Sequence, residues 1–104
     1  IGALPEEKNF FRPDDVIKNT CTFYNIKPTI IKGPKREART VKARQIIMFI
    51  LKKDLFLSYA EIGNILGGRD HTTVMHGVEK IERLLPNKVF FEEIMGIKSL
   101  LKNG

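Results

Sequence analysis

Seven consecutive residues, Gly67-Gly68-Arg69-Asp70-His71-Thr72-Thr73, are the densest run of chemistry-bearing side chains in this 104-residue chain. The two glycines allow a tight turn, and four polar groups follow Arg69 without interruption. An aspartate can accept from a cytosine amino group, and a histidine can donate or accept at a base edge. Threonines offer hydroxyls to bases or phosphate and methyls to thymine. Arg69, next to the backbone N–H groups of a helix start, suits phosphate. Asp70 also has a plain structural use, because an aspartate caps a helix in any protein. Other chemistries find less support. His71 and His76, five residues apart on a helix, project about 140° from each other, and no cysteine or placed carboxylate joins them as a metal set. Cys21 is the only cysteine and reads as a small buried hydrophobe. No nucleophile with its base and no acid pair converges, so an enzyme is not expected.

The charge distribution supports a polyanionic partner. Between Lys27 and Lys53 there are nine basic residues (Lys27, Lys32, Lys35, Arg36, Arg39, Lys42, Arg44, Lys52, Lys53) against one acid, Glu37, a surplus of +8. The other 77 residues carry nine basic and eleven acidic groups, a balance of −2. The whole excess therefore occupies a quarter of the chain, as an electrostatic footprint for nucleic acid would. An acidic membrane surface or a protein partner is the alternative such a block suits, with the helix ending in Lys52 and Lys53 as the candidate contact. No apolar run approaches the roughly 20 residues of a membrane span, and the start lacks the pattern of a signal peptide, so a soluble domain is expected.

These residues need helices to position them. Asp14 is a candidate N-cap for a first helix to Tyr24, with Val16, Ile17, Thr20, Cys21 and Tyr24 on one face. Pro28, Gly33 and Pro34 then prevent a long element, leaving a basic arm that Ile30 and Ile31 pin to the core. A second helix, capped by Thr40 and running to about Leu55, carries the stripe Ala43, Ile46, Ile47, Ile50, Leu51, with Lys42, Arg44, Lys52 and Lys53 off it. Ser58 and Glu61 have capping-box spacing, and Leu57 with Ile62 makes a hydrophobic staple, so a short helix starts at Ser58 and ends near Leu66. Asp70 caps a further helix with Val74, Val78, Ile81 and Leu85 on its apolar side, and Pro86 ends it. A last helix from about Asn87 to Lys102 presents Val89, Phe90, Ile94, Ile97 and Leu101. The fold class is all-α, a single small domain. A short helix, a glycine turn and a longer helix with a polar first turn form a helix-turn-helix, whose second helix enters a major groove.

The run Gly67-Gly68-Arg69-Asp70-His71-Thr72-Thr73-Val74, preceded by Glu61-Ile62-Gly63 and followed by His76 and Lys80-Ile81, resembles the signature of the C-terminal DNA-binding domain of the DnaA family of bacterial replication initiators. The likeness extends upstream through Arg44-Gln45, Lys35-Arg36 and Tyr24-Asn25-Ile26. It implies binding of short, asymmetric, A·T-rich boxes of the TTATCCACA type in double-stranded DNA at the replication origin. Base contacts would come from Asp70, His71, Thr72 and Thr73 in the major groove, and from a loop arginine, Arg36 or else Arg39, in the minor groove. Backbone contacts would come from Arg44, Gln45, Lys52, Tyr59, Ala60, Arg69 and His76. Glu37 in the loop and Glu79 on the reading helix depart from the family's basic pattern. The resemblance further implies that residues 1–12 are the remnant of a linker from an ATPase domain, with the DNA-binding domain over 13–104. No Gly-x-x-x-x-Gly-Lys-Ser/Thr loop is present, so ATP is expected only for that ATPase domain and no cofactor for this chain. One copy would act on each asymmetric box, with oligomerisation left to the ATPase domain. The implied location is the cytoplasm, at the bacterial nucleoid, with a role in transcription regulation beside initiation.

Overall fold

A computed structural model describes residues 11–103, so the first ten residues of the expected linker lie outside it. Six helices follow one another: α1 (Pro13–Tyr24), α2 (Pro28–Ile31), α3 (Ala38–Lys53), α4 (Tyr59–Ile65), α5 (His71–Leu84) and α6 (Lys88–Asn103). No strand occurs among the described residues.

α3 is the spine. Its stripe of Ala43, Ile46, Ile47, Ile50 and Leu51 is completely buried, and Met48 and Phe49 are nearly so. A helix apolar on so much of its circumference must be covered on several sides, and α1, α2, α4 and α5 all pack on it. α5 lies against it most extensively. Gly77 makes that approach possible, since a Cβ there would stand 2.6 Å from Met48 Sδ and 3.3 Å from Gln45 Cγ. α6 closes the far side over α1 with Phe90, Ile94, Ile97 and Leu101.

Helix ends follow local chemistry, with four departures from the sequence expectation. α1 starts one residue early: Pro13 takes the first helical position, Arg12 is the N-cap, and Asp15 accepts from the Arg12 N–H at 3.0 Å, so Asp14 is not the cap. α1 ends where Asn25 turns left-handed (φ 57°) and the Ile26 N–H reaches back to the Cys21 carbonyl at 2.9 Å. α3 likewise begins earlier than Thr40, at Ala38 after Glu37. Thr40 is buried, its hydroxyl 3.4 Å from the Glu37 carboxylate. The segment after α1 contains α2, a single turn opened by Pro28, which buries Ile31 completely. On α6, Val89 is exposed, not part of the buried stripe. The Ser58–Glu61 capping box forms as expected, with the Glu61 N–H donating to Ser58 Oγ at 3.0 Å and the Ser58 N–H to Glu61 Oε1 at 2.8 Å. Asp70 likewise caps α5, accepting from the Thr72 N–H at 3.1 Å.

The turn between α4 and α5 uses two left-handed glycines, Gly67 (φ 88°) and Gly68 (φ 86°). The Gly63 carbonyl accepts from the N–H groups of Gly68 and Arg69, both at 2.9 Å. The two glycines differ in surroundings. A Cβ on Gly67 would sit 2.2 Å from the Lys32 carbonyl oxygen, whereas one on Gly68 would meet nothing within 4 Å. Gly68→Ala should therefore cost about 1 kcal/mol, the left-handed penalty alone, and Gly67→Ala roughly 3 kcal/mol or more as backbone is forced apart. Urea unfolding of both variants checks this, and equal losses would contradict the tight approach of Lys32 to Gly67.

Candidate nucleic-acid interface

The α4–turn–α5 unit is a helix-turn-helix, and the first turn of α5, where the sequence leads one to expect base contacts, is exposed. Asp70 and His71 are about two-thirds exposed even though Asp70 is engaged as the cap, and the carboxylate lies 3.8 Å from His71 Nδ1. Thr73 and His76 are exposed, and Thr72 is half-buried. These positions share one end and one side of α5, while Val74, Gly77, Val78 and Ile81 turn inward.

Beside this edge lies a cleft lined by Lys32, Gly33, Pro34, Arg36, Val41, Arg44, Gly67, Arg69 and Thr73. It brings together the basic loop, α3 and the helix-turn-helix, three segments well separated in sequence. Four of its nine lining residues are cationic and none is acidic. Arg36 and Thr73, expected to read different grooves, flank the same opening.

Arg44 departs from expectation. Its side chain is not off the buried face of α3; the residue is 6% exposed. Its Nε donates to the Ile31 carbonyl at 2.9 Å, and its Nη2 to those of Lys35 at 3.0 Å, Gly33 at 3.2 Å and Ile30 at 3.4 Å. The guanidinium thus stitches the end of α2 and the basic loop to α3, a positioning role that the sequence alone did not suggest. Arg69 is half-buried and donates to the carbonyls of Leu66 and Gly33. Burial pushes the pKa of both guanidinia below the ordinary value, and for Arg44 the charge of Arg69 adds to this. The two cations are near enough to repel, and carbonyl dipoles hold them there.

The loop between Gly33 and Lys35 is consequently anchored, not a loose arm. Arg39 is anchored as well, with its guanidinium donating to the Tyr24 carbonyl at the end of α1. Arg36 is exposed and has no hydrogen bond or ion pair among the described residues. Of the two loop arginines, Arg36 is the one left to reach outward. Lys32 and Gly33 were missed as site residues: Lys32 was counted only as charge, and Gly33 only as a helix breaker. Their contacts with Gly67, Arg44 and Arg69 become visible only once the chain is folded.

The remaining expected positions fall into two groups. Gln45 is half-buried and shares a second groove with Arg36, Lys42 and Lys80, running along the α3–α5 seam. Lys52, Tyr59 and Ala60 sit at the other end, where α3 stops and α4 begins. There the Lys52 ammonium lies 4.4 Å above the centre of the Tyr59 ring. They do not line the cleft.

Residues 13–81 match the family model described as the bacterial DnaA protein helix-turn-helix. The chain belongs to that family. It is 45% identical over 73 residues to the chromosomal replication initiator protein DnaA of Thermomicrobium roseum, covering 70% of this chain and 16% of that protein. Against the DnaA of Xanthobacter autotrophicus it is 38% identical over 97 residues, 92% of this chain and 19% of the relative. Against that of Bacteroides thetaiotaomicron it is 32% identical over 102 residues, 97% of this chain and 22% of the relative. The chain thus spans about a fifth of the length of these DnaA proteins. The match to the family model covers α1 through most of α5 and so includes the cleft, the turn and the exposed first turn of α5.

Two outcomes follow for this DnaA-type domain. Arg44→Met should destabilise it by roughly 2–4 kcal/mol, because the Ile31 and Lys35 carbonyls lose their partner, while Arg36→Ala should leave the unfolding midpoint almost unchanged. The acid side of the stability curve tests the caps. The Asp70 carboxyl is held below its ordinary value of 3.8 by hydrogen bonds from Thr72, and that of Glu61 below 4.5 by hydrogen bonds from Ser58. A carboxyl with a depressed folded pKa contributes stability above its unfolded value and loses it as pH falls through the folded one. The unfolding temperature should therefore decline below about pH 4.5. Asp70→Asn, which keeps an acceptor but cannot titrate, should make that decline shallower; an unchanged slope would remove Asp70 from the account.

Proposed function

We propose that this domain binds double-stranded DNA sequence-specifically, at short A·T-rich boxes of a replication origin, and so serves the initiation of chromosome replication. α5 lies in the major groove with Asp70, His71, Thr72 and Thr73 at base edges. Arg36 enters the adjacent minor groove, where a narrow A·T tract favours a guanidinium. Gln45, Lys52, Tyr59, Ala60 and His76 follow the backbone on either side. One copy occupies each asymmetric box, and boxes near promoters would let the same contacts influence transcription.

The observation that carries this reading is a cleft with four cationic and no acidic lining residues, with Arg36 and Thr73 both on its lining. Two reading elements are set side by side, with the cationic floor between them facing the phosphate ridge that separates a minor groove from its neighbouring major groove. Membership of the DnaA helix-turn-helix family supports the origin as the target.

Fluorescence anisotropy with a labelled TTATCCACA duplex and a scrambled duplex of equal composition tests it. The native box should bind more tightly, with an affinity that falls steeply as salt rises. His71→Ala or Thr72→Ala should cost roughly 1–3 kcal/mol on the box and little on the scrambled duplex. Arg36→Ala should erase discrimination at the A·T end alone. Equal affinity of the unmodified domain for the two duplexes would refute the proposal.

A further inference from the structure

We infer that Arg69 is a positioning residue that fixes the spacing between the loop and α5, so that the domain measures the number of base pairs separating the two parts of its box. The inference rests on the reading proposed above, in which Arg36 and α5 address different grooves.

Three sets of contacts support it. The backbone of Arg69 is tied into the turn through the Gly63 carbonyl, one residue before the Asp70 cap, so its Cα moves with the start of α5. Its guanidinium donates to Leu66 within the helix-turn-helix and, across 36 residues of sequence, to the Gly33 carbonyl. The same carbonyl accepts from Arg44 at 3.2 Å, which sets the loop against α3. The backbones of Lys32 and Gly67 meet so closely that no side chain fits between them. The loop that carries Arg36 is therefore joined to the recognition helix directly through Gly33 and indirectly through α3. A rigid pair of readers accepts only DNA whose two contact regions have the matching separation. Two readers on a loose joint would adapt.

A plain phosphate contact would need only the positive charge of Arg69. The structure uses instead the planar fork, which reaches two carbonyls at once, a geometry that a lysine cannot supply. This difference makes the role testable separately from charge.

The experiment compares the native box with one carrying a single additional base pair, about 3.4 Å of rise, between its A·T end and the remainder. The unmodified domain should bind the lengthened box at least roughly tenfold more weakly, as for the loss of one good base contact. Arg69→Lys should keep the salt dependence of the unmodified domain but lower the ratio between the two boxes to within about threefold, and Arg69→Met should lower the ratio equally while also reducing the salt slope by about one. A ratio in Arg69→Lys as large as in the unmodified domain would overturn the inference while leaving the proposed function intact. An unmodified domain that prefers neither the native box nor a scrambled duplex would overturn both. An independent measurement needs no Arg69 variant. In a Cys21→Ser background, spin labels attached at Lys35→Cys and Lys80→Cys should give one narrow distance distribution without DNA. A broad distribution would show two independently moving readers and overturn the inference.

Discussion

Two guanidinium groups converge on one carbonyl oxygen, that of Gly33, and the arrangement of the recognition surface depends on this meeting. Arg44 arrives from the buried side of α3 and Arg69 from the turn before α5. Neither brings a carboxylate. The cost of placing two like charges together is offset by carbonyl dipoles from Leu66 and from four residues between Ile30 and Lys35, so the cluster is tolerated without being neutralised. A structural ion pair would have left the same cleft electrically quiet. Anchoring cations on backbone oxygens both shapes the loop and preserves a positive potential for an incoming anion.

The other cations divide into those already engaged and those still available. Lys42 reaches Glu93 at 3.0 Å, Lys53 reaches Glu82 at 2.5 Å and Lys98 reaches Asp54 at 3.1 Å, contacts that link α3 to α6 and α5. Glu93 also accepts from the Tyr24 hydroxyl at 2.6 Å; burial, then this bond and the carboxylate charge push the Tyr24 pKa far up. Partly exposed pairs of this kind contribute little stability singly, but none of these three lysines lines the cleft.

Features set by neighbours in sequence were the most legible. The Ser58–Glu61 box, the Asp70 cap, the Gly67–Gly68 turn and the α3 stripe are all specified within a few residues, and each forms as read. Arg44 shows why other features were not. Its period places it next to the apolar stripe, but whether an arginine there points to solvent or inward depends on acceptors 9 to 14 residues away, presented only after α2 has formed. α2 was hidden for a related reason: Pro28 breaks a long helix, yet also suits the first position of a short one, and burial of Ile31 decides between the two. Val89 is next to the buried Phe90 but about 100° round the helix from it, off the stripe of Phe90, Ile94, Ile97 and Leu101, so it stays exposed.

The clearest separation between composition and function lies in the four loop and spine arginines. By charge alone, Arg36, Arg39 and Arg44 of the basic footprint and Arg69 of the turn are equivalent. Geometry gives three of them backbone carbonyls as partners and leaves Arg36 exposed. A long flexible side chain loses more rotamer freedom on binding when the backbone beneath it is also loose. Holding Lys35, Gly33 and the start of α3 in place removes the backbone part of that loss before any ligand arrives. The three anchored arginines therefore hold the base from which Arg36 extends, beside an equally anchored start of α5.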